Sequence, residues 1–197
     1  MMLIETTTIQ DTALPVDAFK AHLRLGTGFG EDTVQDGVLK GFLRAAIAAI
    51  EARTGKALLE RSFAWTVNRW RSPGHEALPL APVTSLVELV LIDADGGEAV
   101  QPAETYRLQQ DGHSPSVQAV GPGLPVIGPG GSARISFVAG MAATWAELPA
   151  DLAQAVLLLA AHYYEYRNET ALGDGCMPFG VTSLIQRYRP MRLGAFQ

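Results

Sequence analysis

The spacing of apolar residues changes twice along this chain, and the change limits the folds open to it. Val34, Val38, Phe42, Ala46 and Ile50 recur at four-residue steps, with Leu39, Leu43 and Ile47 beside them. That is the stripe of an amphipathic helix. Acids at Glu31 and Asp32 predict its start, and Gly55 after Thr54 predicts its stop. From Ser62 the step falls to two: Phe63, Trp65 and Val67 alternate with polar or small residues, as in a strand. At Leu148-Pro149 helical spacing returns, with Leu152, Val156, Leu159 and Tyr163 in one stripe and Asp151 in the first turn. Helices, then strands, then helices predict an α+β fold, a helical bundle body with an inserted antiparallel β unit.

Weaker signals fill in the rest. Pro15 suits the first turn of a short helix carrying Val16, Phe19 and Leu23. Gly37 and Gly41 lie inside the long helix at i, i+4, where each costs about 1 kcal/mol relative to Ala. Close approach of a neighbouring backbone is the expected reason for them. Val83–Ile92 is β-rich, and Asp95-Gly96-Gly97 is a hairpin-type turn. Shorter strands are expected at Thr105–Leu108, Val117–Val120 and Arg134–Val138, with a Gly- and Pro-rich loop at Gly121–Gly131. A short terminal helix over Phe179–Tyr188 precedes Pro190. The parts are an N-terminal helical part (1–58), an inserted β unit (59–145), a helix completing the helical body (146–175) and an extended C-terminal tail (176–197).

Composition narrows the function. One cysteine, Cys176, leaves no intrachain disulfide and no multi-thiolate zinc site. The N-terminus lacks the charged and apolar regions of a signal peptide, and no apolar run is long enough to span a bilayer. Fifteen Lys and Arg against twenty Asp and Glu argue against a binder of duplex nucleic acid. Residues 176–197 carry Arg187, Arg189 and Arg192 and no acid, a net of +3; the remainder holds 12 bases and 20 acids, a net of −8. A basic tail on an acidic body suggests that the two meet different surfaces.

Residues of the kinds used in catalysis do not combine into a recognisable site. Gly26-Thr27-Gly28-Phe29-Gly30 lacks the spacing and the Lys-Ser/Thr of a phosphate loop, so it reads as a helix connection. His162 and Glu165 can share a helix face but lack further ligands for a metal. Asp93, Asp95 and Glu98 suit a turn better than a calcium loop. Cys176 has no evident histidine partner. Trp65, Trp70 and Trp145 read as core or interface anchors, with a local anion contact open at Arg69 and Arg71.

Five passages in fixed order carry a resemblance. Glu51-Ala52-Arg53-Thr54-Gly55-Lys56-Ala57-Leu58, Leu78-Pro79-Leu80-Ala81-Pro82-Val83-Thr84-Ser85-Leu86 and Phe137-Val138-Ala139-Gly140 form the first three. Ala160-Ala161-His162-Tyr163-Tyr164-Glu165-Tyr166-Arg167, after Leu148-Pro149, and Pro178-Phe179-Gly180-Val181 with Leu184-Ile185 and Tyr188-Arg189 complete the set. Together they resemble the head–tail connector (adaptor) proteins of long-tailed bacteriophages and gene transfer agents. Tyr166 and Gln186-Arg187 depart from that pattern.

The resemblance implies a structural virion protein with no catalytic residues and no cofactor. It implies a homo-oligomeric ring, expected to be dodecameric, beneath the portal protein at the head–tail junction, reached from the host cytoplasm. Such a neck ring extends the DNA channel without sequence-specific contact and docks a stopper or other neck or tail protein. Acids such as Glu31, Asp32 and Asp36 are candidates for the channel or rim, where like charge lets DNA slide. The expected portal-binding residues are Phe179, Val181, Leu184, Ile185, Arg187, Tyr188, Arg189, Met191 and Arg192. On this reading, deletion of 178–197 leaves a folded protein. The plainer alternative packs the same segment back on the chain's own helices. A stopper or tail-completion protein, or an unrelated small-molecule-binding domain, are the other classes considered.

Overall fold

The computed structural model describes residues 1–24, 35–167 and 177–189. The chain divides into two compact units, Met1–Thr8 with Leu59–Ala143, and Ile9–Leu58 with Thr144–Gln197. The α+β class expected from the changing period is the class observed.

The first unit is all β. Its strands are β1 (Met2–Glu5), β2 (Arg61–Val67), β3 (His75–Ala77), β4 (Val83–Ile92), β5 (Glu98–Val100), β6 (Tyr106–Gln109), β7 (Ser116–Ala119) and β8 (Ser132–Ala139). They form a five-stranded sheet, β1-β2-β8-β4-β5, and a three-stranded sheet, β3-β7-β6. Every pairing between them is antiparallel. The strand predicted at 83–92 matches β4, and those expected near 105, 117 and 134 are β6, β7 and β8. Strand β1 has no counterpart in the sequence reading and falls within the stretch assigned there to helix.

Alternation decides which faces are buried. Ala133, Ile135, Phe137 and Ala139 of β8 point inward, as do Phe63, Trp65 and Val67 of β2. Phe63 sits opposite Phe137 across the ladder, with stacked rings 5.7 Å apart. Gly140, just past β8, is required by a close approach. A Cβ there would lie 2.4 Å from both Cα and N of Glu60. At the β4–β5 turn, Asp93 Oδ1 accepts N–H bonds from Asp95 (2.9 Å) and Gly97 (2.7 Å), and Gly96 takes φ +86°. Turn chemistry therefore holds Asp93, as predicted, whereas Glu98 is bound by Arg134 at 2.7 and 2.8 Å. The 121–131 loop is tied down where Trp70 Nε1 donates to the Pro125 carbonyl at 2.7 Å.

The second unit holds α1 (Val16–His22), α2 (Asp36–Thr54), α3 (Ala150–Glu165) and α4 (Phe179–Ile185). Leu39, Leu43, Ala46, Ile47 and Ile50 form the buried stripe of α2 and Phe19 that of α1, whereas Val38 is exposed. The expected start at Glu31 or Asp32 and the Gly26–Gly30 run lie outside the described residues. Gly37 and Gly41 correct an expectation. A Cβ on either meets nothing within 4 Å among the described residues, so no described neighbouring backbone presses on them.

The Glu51–Leu58 passage owes its residues to the helix end. Gly55 adopts φ +65°, and its N–H caps the Glu51 carbonyl at 2.8 Å. The Thr54 hydroxyl donates to Ile50 O at 2.8 Å, and the Glu51 carboxylate accepts the Leu58 N–H at 2.7 Å. The first of these bonds satisfies a carbonyl that a helix terminus otherwise leaves open, and the other two fix the turn that follows.

Candidate docking segment

The C-terminal segment is built on the first turn of α3. Helix α4 runs from Phe179 to Ile185, and a 3-10 turn continues it over Gln186–Tyr188. Its apolar residues recur at helical steps, so one side of the segment is continuous. Val181 and Ile185 are fully buried, and Tyr188 is buried as well. Helices α3 and α4 pack against each other within the second unit.

A polar clasp closes the far end. The Tyr188 hydroxyl donates to Asp151 Oδ1 at 2.9 Å, and Arg187 Nη2 lies 2.9 Å from Asp151 Oδ2. Arg187 also donates to the Tyr188 hydroxyl, and its guanidinium stands 4.7 Å from the Tyr188 ring centroid. Burial, chiefly, raises the Tyr188 pKa above its ordinary value. The hydrogen bond to Tyr188, first, raises that of Arg187. Asp151 sits in the first turn of α3, where its charge also complements the helix dipole.

This arrangement sorts the residues singled out by sequence. Val181, Ile185 and Tyr188 face inward. Phe179 is 87% exposed, Leu184 is half-buried, and Arg187 and Arg189 reach solvent. Met191 and Arg192 lie outside the described residues. Deletion of 178–197 would strip buried side chains from the second unit, so the expectation of an intact fold after that deletion is revised. The missed signal was the pairing of Tyr188 with Asp151, which are 37 residues apart.

Several other polar side chains find partners within the chain. Asp36 forms an ion pair with Lys20 at 2.6 Å. Glu31, Asp32 and Cys176 are outside the described residues. His162 lies against Tyr166, ring centroids 4.7 Å apart. Asp11 binds Lys40 at 3.0 Å and Arg44 at 2.7 Å. The hydrogen bond from Arg44, first, and that from Lys40 hold its carboxyl below the usual range.

No family model and no curated protein matches this chain. Solved structures do. A chain from the neck of an empty GTA particle, computed with C6 symmetry, is 49% identical, with a TM-score of 0.89; the match covers 100% of this chain and 99% of that one. A chain from the virion of a native gene transfer agent (GTA) particle is 48% identical at a TM-score of 0.87, with the same coverage. A third, from the neck of a native GTA particle computed with C12 symmetry, is 45% identical at a TM-score of 0.85, again covering 100% and 99%.

Proposed function

The chain belongs to the family of gene transfer agent neck proteins, and from that premise we propose that it is the head–tail adaptor of such a particle. Its role is structural, in the virion neck. Copies form a ring, dodecameric on this reading, below the portal protein. The ring prolongs the DNA channel and offers a seat to the next neck or tail protein. The observation that carries this reading is the end-to-end match to neck chains computed under C6 and C12 symmetry.

The physics of the chain suits the role. A ring requires two different surfaces per subunit, meeting head to tail. A body of net negative charge repels phosphate, so DNA passes without being held. The portal contact falls to the C-terminal segment. Phe179, Leu184, Arg187 and Arg189 make it from the outer side, joined by Met191 and Arg192. Val181, Ile185 and Tyr188 hold the segment in place from the inner side. Weak single contacts suffice, because repetition around a ring raises avidity.

The test is capture of the purified portal by the full-length protein. Phe179→Asp with Arg189→Glu should abolish capture while circular dichroism and melting stay unchanged. Undiminished capture by that variant would refute the assignment of this segment, and absence of the wild-type chain from purified particles would refute the neck role itself.

A further inference from the structure

The five-stranded sheet of the first unit has open edges on opposite sides. Strand β1 forms one. Only β2 pairs with it among the described residues, and Met2, Leu3 and Ile4 are 57%, 40% and 46% exposed. On the other side, β5 covers only Val90–Ile92 of β4. The Gln101 N–H adds one bond to Leu89 O at 2.8 Å. Below it, no strand hydrogen-bonds to the outer side of Thr84–Glu88 among the described residues, although β6 stands beside β4, and Val87 is 62% exposed. A groove of about 540 Å³ runs along this stretch, walled across from Thr84–Val87 by Tyr106 to Gln110.

Part of the usual guard is missing from both open edges. Neither Met2–Glu5 nor Thr84–Glu88 contains Lys, Arg or Pro. An open edge without them is a template for another strand unless something covers it. The β4 ladder does shift register between Val83 and Ser85 and again between Leu86 and Glu88. Such bulges increase the local twist and would set the angle at which an added strand lies.

A cyclic ring joins one surface of a subunit to a different surface of the next. The opposite edges of one sheet are such a pair, each offering an unpaired row of N–H and C=O groups. We propose that β1 of one copy adds to the open Thr84–Glu88 edge of β4 in the next copy, so that the sheets run on from subunit to subunit around the ring. The occupant is a second copy because the matched necks were computed with cyclic symmetry and because the two edges supply both halves of a head-to-tail joint. The inference rests on the ring-forming role proposed above.

Cysteine pairing in assembled particles tests it. Within one chain β1 and β4 are separated by β2 and β8, three strand spacings or about 14 Å, which no disulfide spans. In a Cys176→Ser background, Leu3→Cys with Val87→Cys, and Met2→Cys with Ser85→Cys, cover two registers. Oxidised particles should yield a ladder of covalent multimers of this chain that collapses on reduction, whereas single-cysteine variants stop at the dimer. If the cysteine variants do not assemble, hydrogen exchange on wild-type particles decides. Amides of 2–5 and 84–88 should exchange at least tenfold more slowly in particles than in the free chain. The proposal is overturned by unchanged exchange, by an absent ladder in particles that contain the variants, or by cross-links to a different neck protein. Mass spectrometry of the wild-type particles separates these outcomes from failure of the neck role, in which the chain would be missing altogether.

Discussion

Tyr188 and Asp151 meet across 2.9 Å, and through them the last described turn of the chain is fastened to the start of α3. Removing the hydroxyl by Tyr188→Phe deletes a bond to an ionised acceptor, worth about 1.5–3 kcal/mol where it is shielded from water. Asp151→Asn should cost less, since its amide oxygen still accepts the Tyr188 hydroxyl and the charge it loses faces the largely exposed Arg187. Chemical denaturation of the two variants checks both the sign and the order.

The tyrosines predict an alkaline limb of stability. Burial, first, raises the pKa of Tyr188, Tyr106 and Tyr163 above their unfolded value of 10.0. An acid whose folded pKa is raised contributes stability below the unfolded value and loses it as pH climbs through the folded one. The protein should therefore destabilise above about pH 10. Tyr188→Phe should flatten that limb, as followed by melting temperature against pH.

The exposed carboxylates act in the opposite direction. Hydrogen bonds from Arg44 and Lys40 lower the Asp11 pKa from 3.8, and that from Arg134 lowers the Glu98 pKa from 4.5. Their contribution is present above those values and fades as pH falls below them. Asp11→Asn should shrink the loss of stability between neutral pH and acid, and added salt should shrink it further.

Glycines separate crowded positions from open ones. Gly140→Ala sets a methyl 2.4 Å from the Glu60 backbone and should destabilise by about 1–3 kcal/mol or more. Gly37→Ala and Gly41→Ala meet nothing within 4 Å among the described residues, and each should add about 1 kcal/mol. Melting temperatures of the three variants should move in these opposite directions.

Truncation in the sealed side of the docking segment should weaken the second unit. Ile185 is fully buried, so Ile185→Ala should cost about 2–5 kcal/mol. Phe179→Ala, at a side chain 87% exposed, should leave the melting temperature unchanged. The contrast between the two separates the side that holds the segment from the side left open to a partner.

Much of this protein was legible from local rules. Four-residue steps ending at Gly55 specify α2, because a 3.6-residue turn aligns such positions on one side and a left-handed glycine closes the end. The alternation at Phe63–Val67 and the β-rich run at 83–92 specify β2 and β4, because successive side chains of a strand face opposite ways. Even the basic tail and its aromatic residues were visible. Tertiary structure decided what these signals are used for. Strand β1 is four residues without a diagnostic pattern, and it exists through pairing with Phe63–Thr66 far along the chain. The open glycines of α2 and the crowded Gly140 look alike in sequence; only the neighbours brought by folding distinguish them. Likewise, the spacing of Val181, Ile185 and Tyr188 announces an apolar side, but contact with α3 determined that this side is turned inward, leaving Phe179 and Arg189 outside. Periodicity is a property of neighbours along the chain, whereas burial depends on what the rest of the chain brings alongside.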